Sequence, residues 1–208
     1  MTTVPEAILD RRSIRRFEDR PVSTADLDRI LRLAVAAPSS YNLQPWRIVV
    51  VRDAEQRQRL HAACYRQPQI RSAPVTLVFA VSIGQWRQKL PRISKQGVDN
   101  GAWPEGNTVA ACEMIVGFQE SLHQRGLLRE YAIKDAMIAA TQAALAAQSL
   151  GLSSCFMNGW QEAAIKEIIG ADDDIAIAVL LPIGYPEETP PNPGRLPLHE
   201  TVFQERLD

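Results

Sequence analysis

Residues 11–17 read RRSIRRF and residues 37–46 read APSSYNLQPW, and these two segments carry most of the information in the chain. The first is an arginine-rich turn whose guanidinium groups suit a phosphate dianion, because each can form charge-assisted, often bidentate hydrogen bonds. A solvated basic turn, balanced by Glu18 and Asp19, is the alternative interpretation. The second segment gathers uncharged hydroxyls and amides between two prolines. That composition suits a ligand with neutral polar edges or, alternatively, an ordinary polar loop.

Helix and strand signals surround these two segments. Thr3–Glu6 forms a capping box for a short first helix, and Ser23 caps a second helix that ends before Pro38. The acidic run 172–174 is interpreted as a solvated connection rather than a metal site, since adjacent side chains in a loop point in different directions. Runs of β-branched and apolar residues predict strands at 46–51, 74–81 and 175–181.

The rest of the chain is predicted to be largely helical. Segment 131–150 contains eight alanines, so other helices can pack closely against it, and it is predicted to be a central buried helix. Segment 86–106 is polar and poorly periodic, which predicts a long functional loop. Six prolines between residues 182 and 197 predict an extended arm that forms neither helix nor central strand. Segment 107–125 is predicted to be a helix with these apolar residues near one face: Val109, Cys112, Ile115, Val116 and Leu122.

Composition restricts the class of protein. The 208 residues are 46% hydrophobic and 23% charged, which predicts one globular domain over residues 1–208. A formal net charge of -1 argues against a dedicated nucleic-acid binder. We expect no membrane partner, because no apolar run is long enough to span a bilayer and no secretion signal is present. Three widely spaced cysteines, Cys64, Cys112 and Cys155, fit free thiols in a reducing compartment, so we expect a cytoplasmic location.

Several common active-site motifs are absent from the sequence. None of the glycines forms a G-x-G pair, and no G-x-x-x-x-G-K-[ST] loop or G-x-S-x-G elbow occurs. His61, His123 and His199 form no pair with metal-ligand spacing, so we expect no bound metal. These absences disfavour a dinucleotide-binding sheet of the usual type, a P-loop enzyme and most hydrolases.

The two opening segments, in this order and followed by a strand, resemble the nitroreductase family of FMN-dependent oxidoreductases. Weaker matches follow along most of the chain: Gln67–Gln69 ahead of Ala73 and Pro74, Ser149–Leu152, and Leu181–Pro186 ahead of Arg195. The resemblance implies an α+β fold with a central mixed or antiparallel sheet flanked by helices, built as an intertwined homodimer with shared FMN sites. It further implies that 86–126 is a lid or substrate-specificity segment and that 182–208 is an extended C-terminal arm.

The resemblance also implies a set of FMN contacts. The phosphate contacts would be Arg11, Ser13, Arg15 and Arg195, while Arg12 would act mainly through its backbone near the flavin. The contacts from the partner chain would be Pro38, Ser39, Ser40 and Asn42. The contacts to the ring would be Gln69 at its pyrimidine edge and Asn158 and Gly159 near N5. Two positions depart from the family pattern: Pro193 replaces a common basic residue, and Asn158 replaces a common acid.

The function that the resemblance implies is an FMN-dependent NAD(P)H oxidoreductase. NAD(P)H would pass hydride to flavin N5 and leave, and a nitroaromatic, quinone or similar electrophile would then be reduced in the same place, with no obligatory catalytic side chain. Another flavin reaction on the same scaffold is an alternative, namely dehalogenation, dehydrogenation or flavin fragmentation. A non-enzymatic protein that binds a phosphate or a nucleic acid is a second alternative.

Two further hypotheses concern segment 86–126. Three aromatic side chains are candidates for stacking on a planar ligand, with plain packing as the alternative: Trp86, Trp103 and Phe118. Four basic side chains are candidates for the 2′-phosphate of NADPH, with a solvated basic loop as the alternative: Arg87, Lys89, Arg92 and Lys95.

Overall fold

The computed structural model describes residues 2–207. Its helices are α1 (Val4–Asp10), α2 (Thr24–Val35), α3 (Ala54–Ala63), α4 (Pro68–Ser72), α5 (Trp86–Asp99), α6 (Thr108–Gln124), α7 (Leu128–Ser149), α8 (Glu162–Ile169) and α9 (Leu198–Thr201). Its strands are β1 (Trp46–Val51), β2 (Val75–Ser82), β3 (Ser153–Ser154) and β4 (Ile175–Gly184). Short 3₁₀ turns cover Ser40–Asn42 and Glu105–Asn107.

The four strands form one antiparallel sheet in the order β1-β2-β4-β3. Every residue of β2 and of β4 is buried, because helices cover both faces of the sheet centre. Trp46 pairs with Val81 across β1 and β2, and Val75 pairs with Ile183 across β2 and β4. The prediction of an α+β fold with an antiparallel sheet flanked by helices is confirmed.

Helix α7 is the central helix of the structure, as its alanine content predicts. It packs against α1, α2 and the strands β2 and β4, and Ala136, Ala140 and Ala143 are completely buried. Small side chains let these elements approach the helix backbone closely, so a larger residue here would have to displace a strand or a helix.

The first two helices begin where their capping signals predict. The Thr3 backbone N–H donates to Glu6 Oε2 at 2.7 Å, which completes the capping box of α1. At α2 the Ser23 hydroxyl accepts from the backbone N–H of Asp26 at 3.0 Å. These two caps fix where the chain leaves α1 for the arginine-rich turn and where it enters α2.

The prediction of a long loop over 86–106 is wrong, because most of this segment forms α5. Trp86, Leu90 and Ile93 are buried at i, i+4 and i+7, so the helix has an apolar stripe that packs against α6. Pro91 costs the helix one backbone hydrogen bond without ending it. The packing of the stripe therefore outweighs the helix-breaking residue.

The extended arm begins later than predicted, because Pro182–Gly184 belongs to β4. The Pro182 carbonyl accepts from the Cys155 N–H at 3.3 Å, just beyond the two-residue strand β3. The nitrogen and the carbonyl of a strand residue point to the same neighbouring strand, and the Pro182 carbonyl points to the β3 side. The missing N–H of this proline therefore costs only one hydrogen bond, at the end of the pairing between β3 and β4. The chain is irregular from Tyr185 to Pro197, and the short α9 follows.

Helix α6 buries a narrower face than predicted. Ile115, Gln119 and Leu122 are buried, whereas Val109 is 74% exposed and Val116 is 39% exposed.

The acidic run ahead of β4 has a structural role, since Asp174 accepts from Ser82 Oγ at 2.8 Å and from the Gly84 N–H at 2.6 Å.

Within residues 2–207, no helix has both the length and the apolar content needed to cross a bilayer. Over the same residues, no group of three or more His, Cys, Asp or Glu side chains is arranged to hold a metal ion.

Candidate functional site

The arginine-rich turn lies against the edge of the sheet. Ile14 and Phe17 are buried together with Ala73 and anchor the turn, while the polar and basic residues between them are at least partly exposed. Ser13 forms a parallel bridge with Ser154 of β3, and the Ile14 N–H donates to the Ser154 carbonyl at 3.2 Å. The spacing of apolar anchors in RRSIRRF therefore presents the guanidinium groups on a fixed backbone.

The chain after β4 is hydrogen-bonded to the same turn. Glu188 Oε1 accepts from the backbone N–H of Arg15 at 2.6 Å and from that of Arg16 at 3.2 Å. The Glu187 N–H donates to the Arg16 carbonyl at 3.1 Å. One carboxylate thus joins two segments that are 173 residues apart in sequence.

A cavity of 500 Å³ lies where the arginine-rich turn, α1, α7 and the C-terminal segment meet. Arg11, Arg12 and Arg195 line it, together with Asn192 and apolar residues of α1 and α7. Three of the residues that the resemblance assigns to FMN are therefore brought together by the fold. Arg15 does not line the cavity, but its charge and that of Arg11 both act on the neighbouring Cys155.

Some hydrogen-bond donors around this cavity have acceptors within the chain and others do not. Arg12 Nη1 donates to the Leu9 carbonyl at 2.7 Å and to the Arg11 carbonyl at 3.0 Å, so its guanidinium braces the turn. Arg11 Nη1 is shielded from solvent and has no hydrogen-bond partner among the described residues, and the same is true of Ser154 Oγ. An unpartnered buried cationic donor is costly, and a bound anion would relieve that cost. The donor set therefore fits the phosphate group of FMN.

Cys155 lies at the centre of this cluster, a position that the sequence patterns did not indicate. Burial raises the pKa of its thiol, and this effect is opposed by the charges of Arg15 and Arg11 and by a hydrogen bond with Ser13. Glu188 raises the pKa further. The thiol therefore stays protonated at neutral pH and contributes packing and a weak hydrogen bond rather than a charge.

A second polar group surrounds Gln67. Its Nε2 donates to the Gly159 carbonyl at 2.9 Å, and its Oε1 accepts from Nε2 of the buried Gln69 at 2.9 Å. A Cβ at Gly159 would lie 2.7 Å from the Gln67 amide nitrogen, so only glycine fits there without movement of that side chain. Two of the predicted ring contacts, Gln69 and Gly159, are thus joined by a residue that was not predicted to belong to the site, while Asn158 is exposed beside them.

The predicted partner-chain contacts lie in a different part of the fold. The loop from Pro38 to Asn42 packs beside α7, where the Ser40 N–H donates to Asp135 Oδ2 at 3.2 Å, and Ser39 Oγ accepts from the Gln44 N–H at 3.0 Å. Tyr41, Asn42 and Gln44 all have positive φ angles, between 46° and 56°. Such conformations are costly for residues other than glycine and persist only where the surroundings enforce them.

A buried carboxyl group, Asp135, and a partly buried amine, Lys89, hold this loop. Burial raises the pKa of Asp135, and the hydrogen bond from the Ser40 N–H opposes that rise. Lys89 Nζ donates to the Gln44 carbonyl at 2.5 Å, and burial, with a smaller effect of the Arg47 charge, lowers the pKa of Lys89 to about 8. The loop is therefore fixed from both sides, by α7 and by α5.

An apolar cavity of 450 Å³ adjoins the loop and is lined by Tyr41, Trp103 and Met114 among others. Phe118 packs edge-on against the Tyr41 ring, with centroids 5.7 Å apart. Trp86, in contrast, is buried in the contact between α5 and α6. Of the three aromatic candidates, Trp103 therefore borders the cavity, Phe118 adjoins it and Trp86 is a packing residue.

The basic candidates for the 2′-phosphate of NADPH are mostly paired within the chain. Arg87 forms an ion pair with Glu120, and Lys95 forms one with Asp99. Lys89 donates to a backbone carbonyl instead. Arg92 is exposed.

Comparison with known proteins shows similarity along most of the chain. Residues 8–185 match the model of the Nitroreductase family. A protein of Thermus thermophilus named NADH dehydrogenase is 33% identical over 197 residues, which cover 95% of this chain and 93% of that protein. A protein of Vibrio harveyi named NADPH-flavin oxidoreductase is 26% identical, with 98% of this chain and 74% of that protein covered. A solved FMN complex from Exiguobacterium sibiricum has the same fold, with a TM-score of 0.90 at 24% identity over 99% of this chain and 98% of that one. The chain belongs to the Nitroreductase family.

Proposed function

We propose that this chain is an FMN-dependent NAD(P)H oxidoreductase that reduces nitroaromatic, quinone or similar electrophilic acceptors. The observation that carries the proposal is the cavity lined by Arg11, Arg12 and Arg195, in which Arg11 Nη1 has no acceptor within the described residues. The names of the Thermus thermophilus and Vibrio harveyi relatives, and the FMN bound in the Exiguobacterium sibiricum protein, support the same activity.

The arginine-rich turn and the C-terminal segment would hold the phosphate of FMN. Arg11 and Arg195 would give charge-assisted hydrogen bonds, Arg15 would add positive charge at the same place, and Ser13 would contribute its hydroxyl. Arg12 would brace the turn, since its guanidinium already donates to the Leu9 and Arg11 carbonyls.

The residues joined by Gln67, namely Gln69 and Gly159, would contact the flavin ring. FMN, when bound, supplies the transfer of hydride from NAD(P)H to the acceptor. Gln69 is held by Gln67 and would present its amide to the ring, while Asn158 and the backbone at Gly159 would lie near N5. Because Gln67 holds Gln69 and Gly159 before the ligand arrives, these two residues would stabilise negative charge on the ring at little reorganisation cost.

A homodimer would complete each site. A groove of 450 Å³ runs between α1, α2 and α7 and is lined by Val4, Leu33 and Ala146 among others. Exposed apolar residues cluster in the same helices, including Val4, Ile8, Leu9, Leu33 and Val35. An apolar surface of this kind is typical of a subunit interface, and pairing of two chains would carry Pro38, Ser39, Ser40 and Asn42 to the partner's flavin.

Segment 86–126 would act as a lid that selects the acceptor. It forms α5 and α6, and the apolar cavity beside Trp103 would take the acceptor's hydrophobic part.

Steady-state kinetics of the FMN-loaded protein test the proposal. We expect NADH or NADPH oxidation that depends on a quinone or nitroaromatic acceptor, with parallel lines in double-reciprocal plots as the donor and acceptor are varied. A flavin-loaded protein that oxidises neither nicotinamide would contradict it. Comparable rates with NADH and NADPH would show that no side chain of segment 86–126 recognises the 2′-phosphate.

A further inference from the structure

A separate cavity lies between α3 and α4 and shares no lining residue with the cavity beside the arginine-rich turn. It has a volume of 350 Å³ and is lined by Ala54, Arg57, Gln58, His61 and Arg71. Two of these residues are arginines, one is a histidine and none is acidic. The volume falls at the lower end of the range of small-molecule sites, which is roughly 300 to 1,000 Å³.

The arginines of this cavity lack the ion pairs that surface arginines commonly form. No carboxylate among the described residues lies within ion-pair distance of Arg57 or Arg71, whereas Arg59 on the same helix pairs with Glu167 at 3.0 Å. Two arginines therefore line a concave site without an ion-pair partner, an arrangement that favours an anion.

The Arg57 guanidinium is also held in place before any ligand binds. Its Nη1 donates to the Ala73 carbonyl at 3.0 Å, which ties it to the end of α4. Its Nε is shielded from solvent and has no acceptor in the part of the chain that the structure describes. The bond to Ala73 therefore positions the guanidinium at the cavity wall before an anion binds.

We propose that the cavity lined by Arg57, His61 and Arg71 is a second anion site that binds a phosphoryl group. Guanidinium forks match the geometry of phosphate oxygens, and the imidazole and the Gln58 amide offer further donors around the rim. Its lining shares no residue with the cavity lined by Arg11 and Arg195, to which we assign the flavin phosphate. The proposal does not depend on the flavin chemistry.

The test is a titration of the FMN-loaded protein with inorganic phosphate at constant ionic strength, followed through the arginine Nε–H signals in ¹H–¹⁵N NMR spectra. We expect a saturable shift of the Arg57 signal. Arg71→Gln should weaken phosphate binding at least 10-fold, and Arg59→Gln, on the same helix but outside the cavity, should leave it unchanged. Adenosine 2′-monophosphate in a second titration shows whether the phosphoryl group comes from a nucleotide, since tighter binding than phosphate would identify that source.

Two controls keep the result unambiguous. Arg71 is exposed, so its substitution should not impair folding, which far-UV circular dichroism checks. A parallel titration of Arg11→Ala apoprotein separates this cavity from the flavin-phosphate site, because binding at the α3–α4 cavity does not involve Arg11. The proposal is overturned if the Arg57 signal does not shift, or if Arg71→Gln and Arg59→Gln bind phosphate equally well.

Discussion

Glu188 allows the contact between the arginine-rich turn and the C-terminal segment to be tested directly. Its carboxylate accepts from the Arg15 and Arg16 N–H groups at 2.6 and 3.2 Å, and it is the side chain through which the segment that carries Arg195 reaches the turn. We expect Glu188→Ala to release this contact, so that the two parts of the phosphate site are less well positioned before FMN binds.

The size of the effect follows from these two hydrogen bonds. A hydrogen bond to a charged group contributes about 1.5 to 3 kcal/mol, and the lower value applies here because the freed N–H groups are partly accessible to water. A cost of about 1.5 kcal/mol for ordering the turn reduces FMN affinity roughly 10-fold, since only the ordered fraction of the protein binds. Glu188→Gln keeps an acceptor oxygen and should lose less affinity.

The assay is FMN binding to the apoprotein, measured by quenching of flavin fluorescence, together with thermal unfolding. Glu187→Ala is the matched control, because the neighbouring Glu187 is exposed and contributes only its backbone N–H to the turn. Unchanged FMN affinity in Glu188→Ala would refute the positioning role. Tighter binding in both Glu188 variants would show that the carboxylate acts mainly by repelling the phosphate.

Three further predictions concern single side chains. Arg11→Ala should weaken FMN binding by roughly 10- to 100-fold through loss of a charge-assisted contact of about 1.5 to 3 kcal/mol, measured by equilibrium dialysis, with Arg32→Ala on the surface of α2 as the neutral control. Ala140→Leu should lower the free energy of unfolding by about 1 to 3 kcal/mol through overpacking of α7, measured by urea unfolding. The pKa of Asp135 is raised in the folded state, so its contribution to stability is present below its ordinary pKa and is lost as pH rises through the pKa of the folded protein. Asp135→Asn should remove that pH dependence of the free energy of unfolding, measured by urea unfolding. An unaltered pH profile would contradict the assignment of the dependence to Asp135.

Regular elements with a strong pattern were predictable from the sequence. The strand at Trp46–Val51 and the helix that begins after Ser23 appear at the predicted positions, because β-branched residues and capping side chains act over a few neighbouring residues. The match of residues 8–185 to the Nitroreductase family likewise confirms the resemblance carried by RRSIRRF and APSSYNLQPW. The strand and the helix cap depend on neighbouring residues, whereas the family match extends over most of the chain.

The errors arose where distant packing overrides a local signal. Pro91 in α5 and Pro182 in β4 suggest irregular chain, yet buried neighbours hold both segments in regular structure. The two-residue strand β3 has no local pattern and exists because β4 and Ser13 pair with it. Strand length and hydrophobic periodicity cannot predict a strand that forms only because other strands pair with it.

The structure brings some of the predicted site residues together, through contacts that the sequence does not indicate. Arg11, Arg12 and Arg195 meet at one cavity, although nothing in their spacing indicates it. Gln67 and Glu188 were missed as site residues because their roles depend on contacts with Gly159 and Arg15, far away in sequence. The homodimer and the individual FMN contacts stay predictions.

The visible absorption spectrum of the purified protein, with identification of the released chromophore, tests the central claim most directly. We predict a yellow protein with a flavin spectrum, about one FMN per chain, and a dimer in sedimentation. A colourless protein that cannot be reconstituted with FMN would contradict the account.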